Sequence, residues 1–351
     1  MSELLTVDWN KILSYNAPIT AVITSRGFGK TFGLRLQFIR DYLHHGYTFV
    51  EIVRHKNELQ AVQSNYFDKI GEFFPDFMFK TQSNVGYIAR KPQDKKNKPV
   101  WHVIGYFVAM SQYQLVKKQS GGSFKNVHRM VLDEFTIELD DVFHRYNPNE
   151  WDVMTSIIDS CSREIYGVSV PPKLYLLGNA TDIRNPYFEK AGITGNPHVG
   201  FSWHMCKNFL LYYDINLEYQ RNKSNTLAGK MGEYGNNNTM LENKFSNAND
   251  EWIKSKSAQA VFIYGIMYKK HAIGVWVDSH TGLYYLTAKI PKNDNRVYAL
   301  TVNDKPNYLL LKRNNQITLT LYQAYRYRMV YFSSSAVYGR FLDMVKFLGY
   351  R

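Results

Sequence analysis

The sequence predicts an α/β domain with a mainly parallel sheet, followed by a smaller α+β domain, and three observations carry that prediction. Near the start, the apolar and β-branched run Ile19-Thr20-Ala21-Val22-Ile23 meets a glycine-bearing turn. A helix-like pattern from Phe32 to Tyr42 follows it. From residue 1 to about 215, strand-like and helix-like segments alternate, as they do in βαβ units. Past residue 249 the texture becomes short strands with tight turns between them, closed by two helical stretches. A length of 351 residues suits two domains, or one with appendages, and 45% hydrophobic content is ample for two cores.

The first strand, residues 20–24, delivers the chain into Thr24-Ser25-Arg26-Gly27-Phe28-Gly29-Lys30-Thr31, and a helix is expected over 31–42. Strand, glycine turn, Lys-Thr and helix are what a phosphate-binding P-loop needs. Glycines let backbone N–H groups curl round phosphates, and the helix N-terminus adds its positive end. Residues Thr24 to Thr31 are therefore the expected ATP-binding loop. Lys30 reaches the β- and γ-phosphates, and the Thr31 hydroxyl holds magnesium. The pattern departs from G-x-x-x-x-G-K-[ST] at its first glycine, where Thr24 stands.

A second strand is expected at 48–54, a helix at 58–74 and a third strand at 101–109. The run Lys91-Pro92-Gln93-Asp94-Lys95-Lys96-Asn97-Lys98-Pro99 reads as an exposed turn between two strands. The strand at 130–133 is short and apolar and ends in Asp133-Glu134. Set beside the P-loop strand, it would bring Asp133 to the magnesium shell and Glu134 to an attacking water. The doubled acid favours hydrolysis over nucleotide binding alone. A helix at 149–163 and a strand at 173–178 follow, and Asn179 stands just past that strand's end. It fits an ordinary Asx turn as well as a γ-phosphate sensor. Arg163 ends its helix, where spacing alone suggests a surface pair with Glu164 or Glu150. The strand Glu51-Ile52-Val53-Arg54-His55-Lys56 ends in three potentially positive groups, which suit a DNA-facing edge or a solvated end equally. Lys117-Lys118 precede the acidic strand and fit a pore or a neighbouring active site.

Residues 221–250 hold eight asparagines and three glycines, which reads as a linker or small subdomain. The expected division is 1–215, a linker at 216–248, and 249–351. Strands are expected at 258–268, 272–278, 282–288 and 296–302, with a hairpin loop at 278–282 and helices at 318–331 and 334–348.

The net charge is +13, and residues 249–351 hold 15 Lys and Arg against six Asp and Glu. A basic surface interleaved with tyrosines suits a nucleic-acid backbone and base stacking, or an acidic protein partner. Asp278, Asp294 and Asp304 lie in turn contexts, so no nuclease site is expected there. Cys161 and Cys206 lack metal-ligand spacing and fit a reduced intracellular protein. No signal peptide and no membrane span is expected.

Five strings occur in order: Thr24 to Thr31; Asp133-Glu134-Phe135; Tyr146-Asn147-Pro148-Asn149-Glu150; Gly178-Asn179-Ala180 with Asn185-Pro186-Tyr187-Phe188; and Gly274-Val275-Trp276-Val277-Asp278. Together they resemble the genome-packaging ATPases, or DNA encapsidation proteins, of phi29-like tailed phages, over nearly the whole chain. The resemblance implies an additional-strand, catalytic-glutamate (ASCE) P-loop core. It also implies a C-terminal domain like a degenerate RNase H-type nuclease fold. It implies a homo-oligomeric ring, a pentamer, at the portal of an empty prohead in the host cytoplasm, driving double-stranded DNA inside with ATP and magnesium. By motif order Lys30 and Thr31 become nucleotide ligands, Asp133 the magnesium-linked acid and Glu134 the base. Arg163 becomes a trans-acting arginine finger and Lys56 a DNA-facing lysine. Some members dock on a structural packaging RNA, and the basic charge here fits that or direct docking on portal or capsid. A helicase-like ATPase and a non-hydrolysing nucleic-acid scaffold are the competing readings.

Overall fold

The computed structural model describes residues 6–94, 96–119, 124–137, 146–147, 149–162, 171–181, 183, 185–193, 196–227, 229–230, 243, 245, 252–292, 294–304 and 309–350. The chain divides into two compact units, Met1–Gly192 with Pro197–Phe245, and Ile193–Asn196 with Ser246–Arg351.

The first unit runs α1 (Trp9–Ser14), β1 (Ile19–Ile23), α2 (Lys30–His45), β2 (Thr48–Val53), α3 (Lys56–Ser64), α4 (Asp68–Gly71), β3 (Phe77–Gln82), β4 (Val85–Arg90) and β5 (His102–Ala109). It continues with α5 (Tyr113–Gln119), β6 (Val127–Leu132), α6 (Glu150–Ser162), β7 (Lys173–Gly178), α7 (Pro186–Ala191), β8 (Gly200–His204), β9 (Phe209–Tyr213) and α8 (Leu217–Ser224). Nine strands form one sheet in the order β3-β4-β5-β2-β6-β7-β1-β9-β8. The six from β5 to β9 are parallel, and an antiparallel pairing closes each edge. The fold is α/β with a large, mainly parallel sheet. Its central strands are mostly apolar without alternation, as in a sheet buried on both faces; every residue of β2 is buried.

The strand carrying Asp133 is not beside β1, as expected, because β7 lies between them. Registers pair Ile23 with Gly178 and Leu132 with Leu176, so the carboxyl ends of all three stand at nearly one level. The helix expected over 58–74 is two helices. Tyr66 and Phe67 turn into the core at the break, which ends the helical periodicity.

In the second unit β10 (Val261–Tyr268), β11 (His271–Asp278) and β12 (Leu283–Thr287) form an antiparallel meander. Strand β13 (Val297–Ala299) pairs parallel to β10, and β14 (Val330–Phe332) parallel to β12. Helices α9 (Gln316–Arg326) and α10 (Ser335–Phe347) supply Leu321, Val337 and Phe341 to a core with Ile266, Ile273, Val275 and Leu286. The β10–β11 turn is Lys269-Lys270, both at positive φ, a primed hairpin made without glycine or asparagine.

Candidate active site at the strand ends

The P-loop leaves β1 at Ile23 and closes at Gly29, the N-cap of α2. Gly27 and Gly29 stand at φ +86° and +74°, where a side chain is strained. The N-cap of α2 is a glycine with no side chain to cap it, so its first-turn N–H groups can serve an anion. Trp9 donates from Nε1 to the Lys30 carbonyl at 3.1 Å and packs so tightly on Gly33 that a Cβ there would lie 2.5 Å from its ring. Helix α1 thereby fixes the first turn of α2.

Around this turn, groups from distant sequence converge. The Lys30 ammonium donates to Asn179 Oδ1 at 2.6 Å, and the Thr31 hydroxyl donates to Asp133 Oδ2 at 2.8 Å. Burial lowers the Lys30 pKa from 10.5 to about 8, against the pull of Asp133 and Glu134. Glu134 is exposed and sits at φ +53°, an uncommon conformation for a non-glycine residue, with its amide on Asp133 Oδ1 at 3.0 Å. Thr24 and Ser25 are buried. The Thr24 amide bonds to the Gly178 carbonyl at 3.3 Å, and the Ser25 hydroxyl has no hydrogen-bond partner among the described residues. Arg26 is exposed. The Phe28 ring belongs to the core, edge-on to Tyr219 at 5.1 Å between centroids, so Phe28 can offer an anion its backbone and not its ring. A hydroxyl and a carboxylate side by side suit a hard cation such as magnesium, which keeps waters and shares the oxygens of a phosphate. The buried cation and loop amides suit the phosphate itself.

Arg54 does not face solvent, so, contrary to expectation, it is not placed to contact DNA. Its guanidinium is buried, bonding Glu150 through Nε at 3.0 Å and Nη2 at 3.0 Å. It also donates to the carbonyls of Glu134 at 3.2 Å and Phe135 at 3.1 Å. Glu150 further accepts from Tyr187 Oη at 3.1 Å and the Asn147 amide at 2.8 Å. Two strings that looked like family signatures thus close round one arginine and hold the backbone of Glu134. Two residues on, Lys56 opens α3 and is exposed, its amide on Ser111 Oγ at 3.2 Å. Lys117 and Lys118 lie in the last turn of α5. Arg163 falls outside the described residues.

Sequence reasoning missed Arg54's partner, an ion pair between Arg35 and Glu51, and the contact of α8 with the P-loop. Arg35 lies one turn beyond Thr31 on α2, above the Tyr66 ring at 4.3 Å. An acid inside an apolar strand, Glu51 in Phe49-Val50-Glu51-Ile52-Val53, was the available signal. Burial pushes its pKa up and Arg35 opposes that. Among the described residues there is no cluster of three or more His, Cys, Asp or Glu able to hold a metal. Among the same residues, no helix is long and apolar enough to cross a membrane.

The chain is similar to a DNA packaging protein of Bacillus phage B103, with 28% identity over 306 residues, 86% of this chain and 88% of that one. Its fold matches a chain of the bacteriophage phi29 viral genome packaging motor assembly at a TM-score of 0.73, with 25% identity and 98% and 99% coverage. The crystallised N-terminal domain of the phi29 DNA packaging ATPase matches 61% of this chain and 99% of that domain, at a TM-score of 0.50 and 25% identity. The family model of the podovirus DNA encapsidation protein (Gp16) matches residues 1–344, and the chain belongs to that family.

Proposed function

We propose that the protein is an ATP-driven translocase that moves double-stranded DNA into a preformed prohead, working at the portal vertex as a homo-oligomeric ring, a pentamer. The observation that carries this is the convergence of Lys30, Thr31, Asn179 and Asp133, with Glu134 beside them, at the ends of three neighbouring strands. The names of the relatives, a DNA packaging protein and a genome packaging motor, support the biological setting.

In this reading Lys30 and the loop amides bind the β- and γ-phosphates of ATP. Magnesium, held by Thr31 and through Asp133, supplies charge neutralisation on the phosphate oxygens. Glu134 accepts a proton from water as the water oxygen bonds to the γ-phosphorus and the bond to the β–γ bridging oxygen breaks, releasing ADP. Asn179, bonded to Lys30, reports whether the γ-phosphate is present. The Arg163 guanidinium stabilises the same charge on a neighbouring subunit's ATP. Lys56, exposed at the start of α3, faces the DNA backbone. The basic second unit docks on a structural RNA or directly on the portal or capsid.

The test is steady-state ATP turnover by the full chain, with and without proheads and DNA. Lys30→Ala loses ATP binding. Glu134→Gln keeps it but turns over about 10²–10⁴ more slowly, because positioning survives and proton acceptance does not. Normal turnover by Glu134→Gln removes the base assignment.

A further inference from the structure

Helix α8 falls within the segment 216–248 expected to be a linker, yet it sits on the P-loop. Tyr219 Oη donates to the Arg26 carbonyl at 2.9 Å, and Lys223 Nζ donates to the same oxygen at 2.8 Å. The two donors are four residues apart, on one face of the helix. The Asn216 side chain caps α8 by accepting the Tyr219 amide at 2.8 Å. No residue of α8 is buried, so an apolar stripe does not hold it in place. It touches the loop at the Arg26 carbonyl and lays the Tyr219 ring against Phe28.

Gly27 adapts to the same contact. A Cβ there would lie 2.6 Å from Tyr219 Oη, and its φ of +86° is strained for any side chain. The Arg26–Gly27 peptide is planar and trans, so its N–H points opposite to its carbonyl. Donors that hold the Arg26 oxygen therefore aim the Gly27 N–H. Lys223 also lies close enough to Lys30 and Arg26 to feel their charge, a gathering of cations that favours an anion in their midst.

We infer that Tyr219 and Lys223 are positioning residues for nucleotide, a two-donor clasp on the Arg26 carbonyl that holds the Gly27 N–H where it receives a phosphate oxygen. The inference rests on the proposed reading of the P-loop as the ATP site. It assigns part of the site's affinity to a helix outside both nucleotide motifs. The coupling is reciprocal: what the clasp adds to phosphate affinity, bound phosphate adds to the docking of α8.

The experiment uses the full chain and ADP with magnesium, titrated calorimetrically, beside ATP turnover and the thermal midpoint without nucleotide. Tyr219→Phe keeps the ring against Phe28 and removes one donor. Lys223→Met removes the other with its charge, and Lys223→Arg retains both. Tyr219→Phe and Lys223→Met are each expected to weaken ADP about three- to tenfold, the range for one lost hydrogen bond to a fixed group. Turnover at saturating ATP stays within about twofold, a KM effect without a kcat effect. The nucleotide-free midpoint stays near that of the unaltered protein, and Lys223→Arg binds as the unaltered protein does. The inference is overturned if both variants bind ADP as well as or better than the parent while Lys30→Ala binds none. It is also overturned if Lys223→Met weakens binding and Tyr219→Phe does not, since charge then acts without the clasp. If Lys30→Ala itself binds ADP normally, the nucleotide reading of the loop fails first, and the clasp with it.

Discussion

The acidic groups at the first unit's strand ends and those in the second unit's turns are used differently. In the first, carboxylates meet partners far away in sequence: Asp133 with Thr31, Glu150 with Arg54, Glu51 with Arg35. In the second, Asp278, Asp294 and Asp304 each cap a turn, although Asp304 also accepts the Lys270 amide at 3.3 Å and Asp343 pairs with Lys269 at 3.7 Å on the surface. Asp278 Oδ1 accepts the His280 amide at 3.0 Å and the Thr281 amide at 3.4 Å. Asp294 accepts the Arg296 amide at 2.9 Å, and Asp304 accepts the Thr301 amide at 3.0 Å. A carboxylate that caps a turn is committed to the backbone that shapes it. One that meets a hydroxyl on another element can exchange that partner for a ligand. The first arrangement can do chemistry; the second holds up a surface.

The greatest extension of that contrast is a group supplied by another copy of the chain. If Arg163 acts in trans, Arg163→Ala keeps ATP affinity and loses about 10³–10⁵ in assembly-stimulated turnover. Mixing it with Glu134→Gln restores part of the activity, because one interface then joins an intact Glu134 to an intact Arg163. Mixed rings that never exceed the separate mutants place Arg163 in its own subunit or in a purely structural role.

Next in size is the buried pair behind Glu134. Arg54→Met leaves Glu150 buried beside Tyr187 without its cation, and costs about 3–5 kcal/mol of stability. Replacing both residues by apolar ones of similar volume recovers much of the midpoint. It does not recover turnover, because the Glu134 carbonyl has lost its donor. A double variant with normal turnover shows that the pair serves folding and nothing more, like the acids of the second unit.

A smaller effect distinguishes the site by pH. Lys30 is held at about 8 in the folded protein against 10.5 for the free side chain, chiefly by burial. Phosphate binding requires the charged form. ATP affinity is therefore complete below about pH 8 and falls, by at most tenfold per unit, as pH rises through it. Stability without nucleotide moves the other way. Between about pH 8 and pH 10.5 the unfolded chain binds more protons at this group, so its contribution to stability rises with pH across that window. Calorimetric affinity and thermal midpoints across this window check both signs, and Lys30→Met removes both trends.

Much of this was legible in the sequence because it is local. Glycine, lysine and threonine after a β-branched run specify a loop with little help from elsewhere, and an apolar run closing in Asp133-Glu134 specifies a strand end. What escaped is set at long range. The placement of β7 between β1 and β6 depends on strand order, which no local pattern carries. The residues of β3 are half-buried for most of its length, so neither alternation nor a continuous apolar run marks it. Arg54 reads as a basic strand end until Glu150, 96 residues away, arrives to bury it. Helix α8 has no apolar stripe, and its tie to the loop rests on two polar tips and one ring contact.

The smallest expected effect tests the second unit. Asp278→Asn keeps a side-chain carbonyl able to accept the His280 and Thr281 amides, whereas Asp278→Ala does not. If the carboxylate only shapes its turn, Asp278→Asn leaves the thermal midpoint nearly unchanged and Asp278→Ala lowers it by a few degrees. Both keep the ATP turnover of the parent. Full-length protein incubated with DNA and magnesium or manganese should leave the DNA intact, because two-metal cleavage needs several converging carboxylates and these are engaged singly in separate turns. Metal-dependent cleavage that disappears in both Asp278 variants would reverse the contrast between the units, making Asp278 a ligand and its turn the loop that presents it.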